Sequence, residues 1–138
     1  MRQPFARLRK CWFYPRMIIV GVRYELLMLY LLHHNFKAAE RLFETYTENS
    51  ASITYDRMVM EYVQHGITLK LSSYKKAALQ ANAFVPAYLY GKKKLPRHLP
   101  EYISFGDENE AIEYVGSHAE LWFRPEMAGL VKWMRNSK

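Results

Sequence analysis

The chain is poor in the residues that staple, bend or catalyse. It has a single cysteine, Cys11, so no internal disulfide can form and nothing argues for an oxidising compartment. Six glycines and six prolines are too few for a collagen-like or low-complexity chain. No apolar run reaches the ~20 residues that span a bilayer; the longest apolar window, 17–32, is interrupted by Arg23 and Glu25. The basic, apolar start is followed by no small-residue cleavage site. These absences read as a soluble, cytoplasmic protein. GxSxG, P-loop, GxGxxG, HExxH and CxxC patterns are absent too, and the five histidines have no zinc-site spacing. The sequence therefore carries no positive sign of an enzyme, a cofactor or a bound metal.

Acidic side chains are also the minority, 13 against 20 basic ones, and the imbalance is segregated. Residues 1–24 carry six basic and no acidic groups, whereas residues 101–138 carry seven acidic against four basic. A positive field attracts acidic proteins, nucleic acid or anionic lipid without choosing among them. Half of the 138 residues are hydrophobic, enough for one domain whose core needs no staples.

Residues 1–20 form a basic aromatic segment in which Arg2, Arg7, Arg9, Lys10 and Arg16 alternate with Phe5, Trp12, Phe13 and Tyr14. Pro15 is expected to interrupt any short helix there. The segment reads as a partly ordered tail packed on the next helix, with binding to a surface as the other reading. From about Val22, Tyr24, Leu27, Tyr30 and Leu31 recur at three- and four-residue spacing, which predicts a helix leaving at His33-His34-Asn35. A second helix follows, with Phe36, Ala39, Phe43 and Tyr46 on its apolar face. Asn49 or Ser50 can cap a third. It places Tyr55, Met58, Val59, Tyr62 and Val63 inward, puts Asp56, Arg57, Glu61 and Gln64 on the other side, and stops at Gly66. A fourth, about Thr68 to Ala81, turns Leu71, Tyr74 and Ala78 inward and Lys70, Lys75 and Lys76 outward.

Hairpins at about 22–47 and 51–81 make a repeat, and each buries its open face only when a neighbour stacks on it. The turn segment 82–106 and a last hairpin at 107–136 are the expected cap. Val85, Tyr88 and Leu89 form a short helical turn ending at Gly91. Lys92-Lys93-Lys94 is a solvated run or a contact for phosphate or acidic peptide. Asp107 and Glu110 have the spacing of a capping box, which accounts for the acidic cluster as a helix start. Pro125 suits the first turn of the final helix.

Ala39 with Phe43, and Ala78-Leu79-Gln80-Ala81-Asn82, resemble the second helix and exit of a tetratricopeptide hairpin. Asn82-Ala-Phe-Val-Pro-Ala-Tyr-Leu, the Leu-Pro pairs, and Gly106-Asp107-Glu108-Asn109-Glu110-Ala111 with Tyr114 and Trp122 resemble the C-terminal region of uncharacterised bacterial tetratricopeptide proteins. A related pattern ends the suppressor-of-tumorigenicity family. The resemblance covers about Gly21 to Met134. It departs at Ala83, where that pattern has proline, and in residues 1–20, which match no hairpin. It implies an all-α fold, a short α-solenoid of antiparallel helical hairpins with a C-terminal capping hairpin. It carries over no catalytic residues.

The function that follows is a non-catalytic protein-interaction or scaffold module that holds a peptide or helix in its groove. Tyr30, Tyr55 and Tyr62 are the expected aromatic contacts. Arg57, Lys70 and Lys75 would steer a partner of acidic character. The alternative is a basic nucleic-acid-binding helical protein using residues 1–23 with Lys70, Lys75, Lys76 and Lys92 to Lys94. An open stack face at the N-terminus would also suit a homodimer.

Overall fold

The computed structural model describes residues 15–98 and 100–137; segment 1–14, with Cys11 and most of the expected tail, lies outside the described residues. Eight α-helices occur among the described residues: α1 (Pro15–Leu32), α2 (Phe36–Thr45), α3 (Ala51–His65), α4 (Leu69–Ala81), α5 (Val85–Leu89), α6 (Glu108–Ser117), α7 (Ala119–Trp122) and α8 (Ala128–Asn136), the last preceded by a 3-10 turn at Pro125–Met127. No strand is present among these residues. Pro15 opens α1 instead of breaking it. At the first helical position its fixed φ suits the helix and its missing N–H costs nothing, so α1 begins about two turns earlier than its apolar spacing suggests.

Four helices start the same way. Asn35, Ser50, Thr68 and Asp107 each accept, through a side-chain oxygen, the N–H three residues on, at Ala38, Ile53, Leu71 and Glu110. Each such cap is worth about 1 kcal/mol. At the other end of α3, Gly66 sits at φ 75° and donates its N–H to the Tyr62 carbonyl, a backbone geometry that a side chain would strain.

Contacts across the hairpins fix their direction. The Arg23 guanidinium and the Tyr24 hydroxyl, midway along α1, both donate to Glu48, just past the far end of α2. Thr68, capping α4, donates to Glu61 near the end of α3, while Tyr55 near its start donates to the Asn82 carbonyl just past α4. The two pairs are therefore antiparallel.

At the centre lies α3, packed against α1, α2, α4 and α6. From Ala51 to Glu61 every residue except Arg57 is buried. Tyr55, Met58 and Val59 meet Leu27, Leu31, Phe43, Leu71 and Ala78 in one core, where each large apolar side chain contributes roughly 1.5–3 kcal/mol. The expected polar side of α3 is divided: Asp56 and Glu61 are inside, whereas Gln64, in the last turn, is exposed. A buried carboxylate has no solvent to face, so each of these two acids has a partner.

The C-terminal part departs from a simple hairpin. The helix expected to run from Asp107 to Trp122 is divided at His118, whose backbone (φ −106°, ψ 16°) leaves the helical region. α6 packs on α5 and α3, whereas contact with α4 is made further on, through Lys75. Its ammonium lies 5.3 Å from the Trp133 ring centre on α8.

Candidate functional site

Three polar or open features stand out, all arranged around α3. Inside, Asp56 is the hub of a closed network. Tyr114 on α6 donates its hydroxyl to Asp56 Oδ1 at 2.7 Å, and the Trp122 indole N–H donates to that same hydroxyl at 2.7 Å. His118 Nε2 lies 3.1 Å from Asp56 Oδ2; a carboxylate oxygen only accepts, so Nε2 carries the proton. His118 Nδ1 lies 2.8 Å from Ser117 Oγ and 2.9 Å from the Tyr114 carbonyl. Burial, reinforced by the Asp56 carboxylate, pushes the Tyr114 phenol far above its ordinary pKa, which keeps it a donor. An Asp–His pair invites a catalytic reading, but here both ring nitrogens are engaged and Asp56 is fully enclosed. The network ties α6, through Tyr114, and the break at His118 to α3, and Trp122 on α7 joins it through the Tyr114 hydroxyl.

At the N-terminal end of α3 the Glu110 carboxylate serves two helices. It lies in the first turn of α6, yet its Oε2 accepts the free N–H of Ala51 at 2.8 Å, the first residue of α3. Its Oε1 accepts from Asn82 Nδ2 at 2.9 Å and from the Gly106 N–H at 2.8 Å. The expected capping box is therefore half formed. Asp107 caps α6, but Glu110 reaches past the capping residue to Gly106 and across to α3, where a negative charge also suits the helix dipole. Asn82 completes the junction: its Nδ2 donates to the Asp107 carbonyl and its Oδ1 accepts the Phe84 N–H.

At the C-terminal end of α3 there is an open cleft of about 650 Å³. Leu31 and His34 form one wall at the end of α1, Tyr62, Val63, Gly66 and Ile67 a second, and Leu121, Arg124, Glu126 and Met127 the third. Its lining is mainly apolar. Ile67, 60% exposed, stands at the rim. The C-terminal ends of α1 and α3 both face this side and bring the negative end of each helix dipole to it; the last carbonyls of α1 are capped by His33, His34 and Asn35 N–H groups and, at Leu32, by Arg124 Nη1 at 3.4 Å. His34 turns the chain with φ 58°, and its ring lies 5.3 Å from that of Phe36. Tyr62 approaches α8 closely at Gly129, where an added Cβ would meet the Tyr62 hydroxyl and force that side chain to shift.

The six side chains expected to contact a partner do not form one constellation. Tyr62 alone lines the cleft. Tyr55 is excluded from any groove: it is fully buried, and desolvation raises its phenol pKa so that it remains a hydrogen-bond donor to Asn82. Tyr30 is half-buried against the core. Arg57 lies over the rings of Phe43 and Tyr74, at 5.0 and 5.8 Å from their centres. Lys75 is not outward-facing as expected. It donates to the Ser137 carbonyl and hydroxyl at 2.7 and 2.6 Å, and burial lowers its pKa. Lys70 is exposed.

The cleft itself was hard to read from sequence because its walls come from three separated stretches. The one local signal was Ile67, an apolar side chain placed in a tight turn between Gly66 and Thr68. Among the described residues, no cluster of His, Cys, Asp and Glu is suited to hold a metal, and no helix is long and apolar enough to cross a membrane. No family model, curated protein or solved structure matches the chain.

Proposed function

We propose that this is a non-catalytic binding module, a short tetratricopeptide-like helical stack that receives a segment of another protein in the cleft at the C-terminal ends of α1 and α3. The cleft is the observation that carries the reading: about 650 Å³ of open space over Leu31, Val63, Leu121 and Met127, within the roughly 300–1,000 Å³ range of ligand sites and so large enough for a short stretch of several side chains. Support for the repeat character comes from two antiparallel hairpins in succession and from Ala39 and Ala78, both fully buried where helices approach closely.

The electrostatics alter the expected partner. Of the cations assigned to steering, Arg57 and Lys75 are occupied within the fold. The cleft instead has helix C-terminal carbonyls and the exposed Glu126, with Arg124 turned toward Leu32. Such a site prefers an apolar anchor flanked by a basic residue. The nucleic-acid reading draws less support, because Lys75 is held by Ser137 and Lys93 by Glu108.

Selection of a displayed random peptide library against the full chain tests this. Apolar peptides with a basic flank are expected, and Val63→Asp should weaken them by roughly tenfold or more, the loss of one apolar anchor contact. Selected peptides that bind Val63→Asp as well as the parent would place recognition elsewhere and defeat the proposal.

A further inference from the structure

At the opposite end of α3, the connection between α5 and α6 has a different surface. The described residues of 90–107 contain no helix or strand, and connections longer than about 12–15 residues without regular structure are uncommon in compact domains and often functional. This one is held in place. The Lys92 and Lys93 N–H groups both donate to the Ala87 carbonyl, and Lys93 Nζ pairs with Glu108 at 2.6 Å. Asn109 donates to the Tyr102 carbonyl, and Gly106 is tied to Glu110. Shared with Tyr88, whose own pKa is pushed up to about 12 by desolvation and by this carboxylate, Glu108 is held below the ordinary carboxylate range, chiefly by its hydrogen bond from Lys93.

What this pinned loop displays is apolar and cationic together. Leu95, Tyr102 and Phe105 are 36%, 63% and 54% exposed, and Phe84, at the Asn82 junction that the loop closes on, is 42% exposed. Lys92, Lys94 and Arg97 are exposed among them, and Glu101 is the only acid in 91–106. Exposed large apolar side chains grouped along one loop with cations suit a partner surface that is apolar beneath and negative above.

We infer that the 91–106 loop, with Phe84, docks on an anionic membrane surface. Lys92, Lys94 and Arg97 would meet lipid phosphates and carboxylates while Leu95, Phe105 and Tyr102 enter the boundary between headgroups and chains. Single-stranded nucleic acid is the other polyanion of suitable charge, but it favours successive stacking faces along a basic groove. Leu95 offers no stacking face, and the cleft lies at the far end of α3. The inference is separate from the peptide-binding proposal, which concerns that other end.

The test is co-sedimentation of the full chain with phosphatidylcholine vesicles, with and without roughly one third phosphatidylserine, alongside binding to a single-stranded oligonucleotide. Binding is expected only to the serine-lipid vesicles and should fall with added salt. Lys92→Gln with Lys94→Gln should weaken it roughly thirtyfold, and Leu95→Ser with Phe105→Ser at least roughly tenfold. These side chains are exposed, so unchanged circular dichroism and unfolding midpoints would show that the variants are folded. Three outcomes would overturn the inference: no sedimentation at low salt, sedimentation indifferent to the loop variants, which would assign it to the basic N-terminal stretch, or binding of the oligonucleotide in preference to vesicles.

Discussion

Asp56 shows how much one residue can decide when it is buried. Its two oxygens join α3 to Tyr114 on α6 and to His118 at the break before α7, and Trp122 holds the tyrosine in turn. Removing the carboxylate leaves two donors unpaired in the core, so Asp56→Ala should cost about 3 kcal/mol or more, whereas Tyr114→Phe, which removes one donor, should cost less. Urea unfolding of the two variants measures the difference. Equal, small losses would mean that water replaces the network. The sequence hid this residue. Asp56 and Glu61 fell on the charged side of a helical wheel, and the error was to assume that α3 has one apolar face. Ile53, Tyr55, Met58, Val59, Met60 and Val63 are spread around the axis, which already implied all-round burial and therefore partners for the acids. Tyr55 was misplaced for the same reason.

Among the helices, ends were more legible than faces. Gly66 and Asp107 stand where their chemistry placed them, and of the two candidates Asn49 and Ser50 it is Ser50 that caps, because a cap needs only local geometry. Pro15 and His118 were not legible in the same way: a proline suits both a break and a first turn, and the break at His118 accompanies a side chain drawn to Asp56, 62 residues away in sequence. Two groups at the start of α3 can be set against each other. Ser50 satisfies one N–H by local capping, and Ser50→Ala should cost about 1 kcal/mol. Glu110 satisfies N–H groups on Ala51, Asn82 and Gly106, so Glu110→Ala should cost about 2–3 kcal/mol and loosen the turn at Gly106 as well. Thermal unfolding together with amide exchange at Gly106 separates the two effects. A Glu110→Ala variant no less stable than Ser50→Ala would mean that the carboxylate is not a structural hub.

For the whole molecule, charge and pH act where the first hairpin closes on itself, at Glu48. Burial tends to raise the Glu48 carboxyl pKa, but hydrogen bonds from Arg23 and Tyr24 outweigh it and leave the value below the ordinary 4.5. A lowered acid contributes stability that is complete above pH 4.5 and is lost as the pH falls through the folded value. Glu48→Gln should therefore cost about 1 kcal/mol near neutrality, with the gap to the parent chain closing in acid. Denaturant midpoints at about pH 6 and about pH 3 check the sign; a gap that widens in acid would contradict it. At this scale the sequence conveyed the helical class and the two leading hairpins. It did not convey the cleft, whose walls are assembled from stretches far apart along the chain.

The bonds from Ala51 to Glu110, from Asp56 to Tyr114 and from Asp56 to His118 span 59, 58 and 62 residues. Because the innermost helix takes its polar partners from the last part of the chain, it cannot be completed in order of synthesis. While the polypeptide is emerging from the ribosome, α3 can pair with α4, but Asp56 must stay hydrated until Tyr114 and His118 have also emerged. The polar network inside α3 is therefore among the longest-range contacts of the fold and closes only after these distant partners have emerged.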